Sequence, residues 1–126
     1  MELQQRESRI RILVDVPDMW NRMAEADIAV SAAGSTVYEL SAMGVPAVVC
    51  YYAENQRRVA EGFASQTGMT NAGDYSKNPN TALDIMTEAV CKLVKCKEER
   101  ESLSARMKQI VDGQGTGRIA RELLGS

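Results

Sequence analysis

The sequence predicts an α/β fold in which a parallel sheet is flanked by helices. Short apolar segments rich in β-branched residues alternate with segments whose apolar residues recur at helical spacing. Tight hairpin signals between the apolar segments are missing, which indicates parallel strands joined by helical crossovers. The chain has 126 residues, so we expect residues 1–126 to form a single domain with one core.

Four segments have the composition of strands. Residues 9–16, "RIRILVDV", and residues 47–52, "AVVCYY", are apolar runs of the kind found in buried strands. Residues 27–32, "DIAVSA", form a shorter strand that is broken at Gly34. Residues 69–72 are predicted to form a short strand or a loop.

The predicted helices are recognised by apolar spacing and by residues typical of helix ends. Pro17 suits the start of the first helix, and Gly44 suits the end of a helix over residues 36–43. The other predicted helices cover residues 55–66, 81–95, 98–112 and, as a last turn or two, 117–124.

Composition excludes several classes of function. The chain is 44% hydrophobic with a net charge of -2, which provides no electrostatic basis for binding nucleic acid. There is no apolar run long enough to span a membrane and no secretory signal, so we expect a cytoplasmic protein. The absence of histidine rules out a histidine base or metal ligand from these residues, and we expect neither metal nor cofactor.

Three cysteines, an odd number, have no metal-ligand spacing, so we expect reduced thiols. Two of the three are expected to be buried among apolar neighbours. The cysteines are Cys50, Cys91 and Cys96.

The loop "AAGST" is the first candidate binding element. In parallel sheets, ligands bind at the carboxyl ends of the strands, and this loop leads from such an end into a helix. Its small residues would let backbone N–H groups approach a phosphate at the helix N-terminus. An alternative is purely structural: Thr36 and Glu39 match a capping box, or Ser35 caps the helix. A nucleophilic Ser35 is disfavoured, because no histidine could activate it.

The second candidate element is "YYAENQRR", where the next strand passes into a helix. The amides of Asn55 and Gln56 offer donors and acceptors to sugar hydroxyls. The structural alternative is that Asn55 caps the helix while Glu54 interacts with its dipole. One of Tyr51 and Tyr52 must face away from the core if the strand is regular.

The order of these motifs carries a resemblance to a known family. The segment "DMWNRMAEADIAVSAAGSTVYELSAMGVPAVVCYYAENQ" resembles the C-terminal, nucleotide-sugar-binding half of GT-B enzymes related to glycosyltransferase family 28. It is most similar to the branch that includes UDP-2,4-diacetamido-2,4,6-trideoxy-altrose hydrolases and proteins of spore coat polysaccharide biosynthesis. The closing "VDGQGTGRIARELL" extends the resemblance to about residues 9–124. It implies a Rossmann-like sheet, a partial GT-B C-terminal domain and a helical C-terminus.

The resemblance also implies roles for individual residues. Gly34, Ser35 and Thr36 would donate hydrogen bonds to the diphosphate of a UDP-sugar or a similar nucleotide sugar, and Glu39 would accept hydrogen bonds from the ribose hydroxyls. Asn55 and Gln56 would contact the sugar or the diphosphate. The helix dipole and neutral donors would stabilise negative charge on the departing diphosphate.

The sequence departs from the family pattern at its start. Related enzymes begin this half with a strand and a glycine-rich loop, preceded by an N-terminal domain, so we expect the domain to be incomplete on its N-terminal side. Catalysis as a hydrolase or glycosyltransferase would then need residues from elsewhere, as in two-subunit N-acetylglucosaminyltransferases. Exposed apolar edges would favour self-association or a partner chain that supplies the N-terminal half. The alternative is a non-catalytic interaction protein that retains the fold.

Overall fold

The computed structural model describes residues 19–111. The strand predicted over residues 9–16 and the turns predicted over residues 117–124 lie outside the described residues. Between residues 19 and 111 the chain forms three strands and five helices. The strands are β1 (Ala29–Ala32), β2 (Ala47–Tyr51) and β3 (Thr70–Asp74). The helices are α1 (Met19–Glu25), α2 (Ser35–Met43), α3 (Glu54–Thr67), α4 (Pro79–Lys95) and α5 (Lys97–Ile110).

The strands form one parallel sheet in the order β1-β2-β3. β1 pairs with β2 from Ala29 beside Ala47 onwards, and β2 pairs with β3 with a register irregularity between Val49 and Tyr51. One helix connects each pair of successive strands. The predicted α/β class, a parallel sheet flanked by helices, is therefore confirmed.

The middle strand is buried on both faces. Val48 and Val49 point to opposite sides of the sheet, and both are fully buried. An unbroken apolar run is what such a strand requires, because neither face meets water. By contrast, β1 leaves Val30 53% exposed.

Helices α2 and α3 are held together by an aromatic contact. The rings of Tyr38 and Phe63 meet edge to face, with centroids 5.1 Å apart and planes at 80°. Phe63 is fully buried, and Val37 and Val59 lie in the same core. These residues orient the two helices whose N-termini face the carboxyl edge of the sheet.

Helix α5 packs against the opposite ends of α2 and α3. α2 ends at Gly44 and α3 at Gly68, both in the left-handed region with φ of 71° and 80°. The Ser104 hydroxyl of α5 donates to the Gly44 carbonyl at 2.6 Å. Arg100 donates from Nη1 to two carbonyls at the end of α4, those of Leu93 and Val94. Helix α5 thus lies beside the amino edge of the sheet, whereas, within residues 19–111, only loops and helix N-termini lie at the carboxyl edge.

One expectation about the core is wrong. Only Cys50 is buried, while Cys91 is exposed and Cys96 is half-buried. Cys91 lies on the outer side of α4, and Cys96 lies at the junction between α4 and α5, so apolar neighbours in sequence did not ensure burial.

Candidate functional site

Three loops meet at the carboxyl edge of the sheet. In the register of the sheet, Tyr51 of β2 pairs with Asp74 of β3, so the two strands end at nearly the same level. The N–H of Ala33 donates to the Cys50 carbonyl at 2.8 Å, and the N–H of Tyr75 donates to the Tyr51 carbonyl at 2.9 Å. These hydrogen bonds hold the loops after β1 and β3 against β2. The two predicted binding loops, after β1 and β2, therefore lie next to each other, and the loop after β3 lies beside them.

The N-terminus of α2 has no side-chain cap within residues 19–111. The helix begins at Ser35, one residue earlier than predicted, and Gly34 precedes it with an extended backbone. The structural alternatives, a capping box of Thr36 with Glu39 or a cap by Ser35, are therefore wrong. Thr36 lies inside the first turn, where its hydroxyl is not placed to cap the helix.

This helix end is also open to solvent. A side chain added at Gly34 would meet no atom within 4 Å. Ser35 is exposed and Thr36 is half-buried. Among the described residues, no acceptor takes a hydrogen bond from the N–H of Ser35 or Thr36. Uncapped N–H groups at the positive end of a helix dipole are suited to an anion.

Glu39 lies one turn further along α2, on the same side as Ser35. Its side chain is exposed, and among the described residues it forms neither an ion pair nor a hydrogen bond. A free carboxylate there can accept hydrogen bonds from neighbouring hydroxyls. The structure thus brings Gly34, Ser35, Thr36 and Glu39 to one open surface.

At the N-terminus of α3, the prediction that Asn55 caps the helix is wrong. The helix begins at Glu54 and is preceded by Ala53, so Asn55 lies in the first turn with its side chain exposed. Gln56 has a local partner instead: its Oε1 accepts a hydrogen bond from the N–H of Tyr52 at 2.9 Å. With the oxygen engaged, the amide NH2 of Gln56 is the group left to bind other molecules.

The two arginines that follow lie on a solvated helix face. Arg57 pairs with Glu54 at 2.5 Å and more loosely with Glu61 at 3.9 Å. Arg58 is exposed. These are surface contacts within α3, and such pairs contribute little to stability.

The loop after β3 also lies at this edge, which the sequence did not predict. Asp74 Oδ1 accepts hydrogen bonds from the hydroxyl and N–H of Ser76, at 2.6 and 2.9 Å, and from the N–H of Lys77 at 3.2 Å. These bonds, with that from the Ser76 hydroxyl first, lower the pKa of Asp74. The pattern Asp-x-Ser after a strand is a signal for such a turn. Its proximity to the other loops depends on strand order, which the sequence did not specify.

Tyr52 is the tyrosine that faces away from the core. Its side chain is 52% exposed, whereas Tyr51 is half-buried. The rings of Tyr52 and Tyr75 meet edge to face, with centroids 5.6 Å apart and planes at 71°. Burial raises the pKa of the Cys50 thiol, and the influence of the Tyr52 hydroxyl offsets part of that rise.

A cavity among the described residues lies at the other edge of the sheet. It measures about 550 Å³ and is an open groove between the amino ends of β1 and β2 and helix α5. Its lining mixes both signs of charge, with two carboxylates and three basic side chains: Asp27, Glu101, Lys97, Arg100 and Lys108. The groove contains none of the residues predicted for the site. We place the candidate site at the carboxyl edge, because the open helix end and the unpaired carboxylate lie there.

A parallel sheet flanked by helices, with an uncapped helix N-terminus at its carboxyl edge, defines a Rossmann-like α/β domain. A comparison with known protein families identifies the family of the chain. The model of the glycosyltransferase family 28 C-terminal domain matches residues 3–116, and the chain belongs to this family. The predicted family is therefore confirmed.

Two curated relatives are similar to most of this chain. One is the spore coat polysaccharide biosynthesis protein SpsG of Bacillus subtilis, 27% identical over 115 residues, which are 91% of this chain and 33% of the relative. The other is the uncharacterized protein MJ1062 of Methanocaldococcus jannaschii, 25% identical over 115 residues, which cover 82% of this chain and 24% of the relative. The chain thus spans between a quarter and a third of these relatives. No solved structure matches the chain.

The described residues were also searched for membrane-spanning helices and for groups of metal-binding side chains. No helix between residues 19 and 111 is long and apolar enough to cross a membrane. In the same part of the chain, no three thiol or carboxylate side chains are grouped so that they could hold a metal ion.

Proposed function

We propose that this chain binds a nucleotide sugar at the carboxyl edge of its sheet, with UDP as the nucleoside diphosphate. The domain would act within a sugar-nucleotide hydrolase or glycosyltransferase of surface polysaccharide biosynthesis. One observation carries the proposal: the N-terminus of α2 is open and uncapped, and the unpaired carboxylate of Glu39 lies one turn away on the same side. Membership of the glycosyltransferase family 28 C-terminal domain supports it.

Each residue of the site has a proposed role. The N–H groups of Ser35 and Thr36 donate to the diphosphate, which approaches over Gly34 because that residue has no side chain. Glu39 accepts hydrogen bonds from the ribose hydroxyls. Asn55 and the amide NH2 of Gln56 donate to oxygens of the sugar or of the diphosphate.

In the proposed reaction, the bond between the anomeric carbon and the diphosphate oxygen breaks, and its electron pair leaves with the UDP. Fixed N–H groups at the end of α2 would stabilise the negative charge that develops on this oxygen. Water attacks the anomeric carbon in a hydrolase, and a hydroxyl of the acceptor attacks in a transferase. These 126 residues contain no histidine, so a histidine base would have to come from other residues of a longer protein or from a partner.

Calorimetric titration with UDP tests this proposal. We expect saturable binding at millimolar UDP or below. Glu39→Ala should weaken binding about 10- to 100-fold, because a hydrogen bond to a charged group contributes about 1.5–3 kcal/mol. Glu88→Ala is the matched control, since Glu88 is an exposed glutamate on α4 with no ion pair among the described residues. No binding at millimolar UDP, or equal affinities for the wild-type protein and Glu39→Ala, would refute the assignment.

A second candidate function is that of a non-catalytic interaction protein. The observation that favours it is the exposure of large apolar side chains, with Val30 on β1 53% exposed and Val94 on α4 60% exposed. Sedimentation at about 100 μM protein would then show a self-associated species that is lost in Val30→Lys. This function is rejected if the protein sediments as a monomer and also binds UDP.

A further inference from the structure

Tyr52 is an exposed aromatic residue that is nevertheless held in one orientation. Half of its side chain meets solvent, yet its ring edge is fixed against the ring of Tyr75. Its backbone N–H donates a hydrogen bond to Oε1 of Gln56 at 2.9 Å. The hydrogen bond holds the backbone of Tyr52 in place, and the contact with Tyr75 limits rotation of its ring. An exposed and immobilised ring is prepared to bind a flat apolar surface without a large entropic cost.

The position of the ring decides which part of a nucleotide sugar it would meet. Tyr52 lies between the end of β2 and the start of α3, next to Gln56. Glu39, the proposed ribose ligand, lies on α2, which follows β1 on the other side of β2. In a nucleotide sugar the diphosphate separates the ribose from the sugar. If the diphosphate lies at α2 and the ribose at Glu39, the sugar extends towards α3 and Tyr52.

The surface formed by Tyr52, Asn55 and Gln56 has the chemical groups needed to bind a pyranose ring. A pyranose has hydroxyls around its rim and a face of C–H groups that is apolar. Here the amide groups of Asn55 and Gln56 border an aromatic face. Ligand sites commonly combine an apolar or aromatic surface with a few polar groups that fix orientation. The side of the site near β3 therefore offers both kinds of contact.

We propose that Tyr52 is the stacking surface for the sugar of the bound nucleotide sugar, with Tyr75 holding the ring. This inference rests on the proposed function, because it places the diphosphate at α2. It assigns the donor sugar to the β2–β3 side of the carboxyl edge. It makes Tyr52 a residue that determines affinity for the sugar and has no part in binding the nucleoside diphosphate.

The test separates sugar binding from nucleotide binding. UDP, UDP-glucose and UDP-N-acetylglucosamine are titrated calorimetrically into the wild-type protein, Tyr52→Ala and Tyr52→Phe. We expect Tyr52→Ala to weaken binding of at least one of the two sugar nucleotides about 3- to 10-fold, as for loss of an aromatic contact, with UDP affinity unchanged. Tyr52→Phe keeps the ring and should retain most of the affinity. Val94→Ala, an exposed apolar residue at the far end of α4, is the matched control.

The outcomes distinguish this inference from the proposed function. If Tyr52→Ala weakens UDP as much as the sugar nucleotides, the ring contacts the base or supports the fold, and the inference is overturned. It is equally overturned if the wild-type protein binds UDP while Tyr52→Ala binds both sugar nucleotides with wild-type affinity. If the wild-type protein binds none of the three ligands, the proposed function fails and this inference fails with it. Unfolding temperatures of the variants show whether any loss comes from the fold.

Discussion

The side-chain oxygen of Gln56 accepts a hydrogen bond from the backbone N–H of Tyr52, at 2.9 Å. This bond closes the first turn of α3 back onto the end of β2, in the manner of a capping box without a capping hydroxyl. It also fixes the orientation of the amide, because the acceptor side is used within the protein. The donor side of Gln56 is left for a ligand, next to the exposed ring of Tyr52.

Gln56→Glu is predicted to weaken sugar-nucleotide binding while preserving the fold. A carboxylate can still accept the hydrogen bond from Tyr52, and a negative charge suits the first turn of a helix. It cannot donate, and it repels the diphosphate. We expect at least a tenfold loss of affinity for UDP-N-acetylglucosamine by calorimetry, on the order of one charged hydrogen bond. Gln66→Glu, at an exposed position near the other end of α3, should bind normally.

Gly34→Ala is predicted to impair binding without much loss of stability. The backbone at Gly34 is extended, and an added methyl group meets no protein atom within 4 Å. We expect the free energy of unfolding to fall by about 1 kcal/mol or less, as for alanine at a helix N-cap. The methyl group would occupy space in front of the uncapped N–H groups, so UDP affinity should fall clearly. Denaturant unfolding and UDP titration of the same sample check both parts, and unchanged UDP affinity would argue against a diphosphate at this helix end.

Gly44→Ala should show the opposite behaviour. Gly44 has φ of 71°, which costs an alanine about 1–2 kcal/mol. The new methyl group would also clash with the side chains of Lys108 and Ser104 on α5. We expect a lower denaturant midpoint with UDP affinity unchanged in the remaining folded protein, because Gly44 lies at the edge remote from the site. A variant as stable as wild type would contradict the packing of α5 on the end of α2.

Asp74 is predicted to stabilise the loop after β3 in a pH-dependent way. Its pKa in the folded protein lies below the ordinary value of 3.8, chiefly because the Ser76 hydroxyl donates to it. Its stabilising effect is therefore fully present above the unfolded pKa and is lost as the pH falls through the lower folded pKa. The unfolding temperatures of wild type and Asp74→Ala should differ at pH 6 and should converge as the pH falls from 3.8 through the lower folded pKa. A difference that does not shrink as the pH falls below 3.8 would show that the carboxylate charge is not the cause.

The sequence predicted the sheet well because its signals were local. The apolar run of β2 and the helical spacing of Val37 and Leu40 can be recognised from a few consecutive residues. The residues of this run up to Cys50, and Val37 and Leu40, are buried as expected. The end of α2 at Gly44 was also predictable, because the residue after the helix adopts a left-handed backbone, which favours glycine. The residues of the two predicted binding loops also lie at one edge, because parallel strands share a direction.

The helix starts and the third loop were harder to predict for a physical reason. Thr36 and Asn55 both have capping chemistry, but the first helical residue is set by how the strand end leaves the sheet. In both cases the helix began one residue earlier than the pattern indicated. The contact between Tyr52 and Tyr75 joins residues that are adjacent only once β2 and β3 have paired. No local pattern contains that information.

The central claim is that UDP binds at the N-terminus of α2, and mapping of amide chemical shifts tests it most directly. Isotope-labelled protein is titrated with UDP, and the shift of each backbone N–H is followed by NMR. We predict the largest changes at Gly34, Ser35 and Thr36, with smaller ones near Glu39 and Gln56. Changes concentrated around Lys97 and Lys108 would place the ligand in the groove at the amino edge and contradict the claim, as would a spectrum that millimolar UDP leaves unchanged.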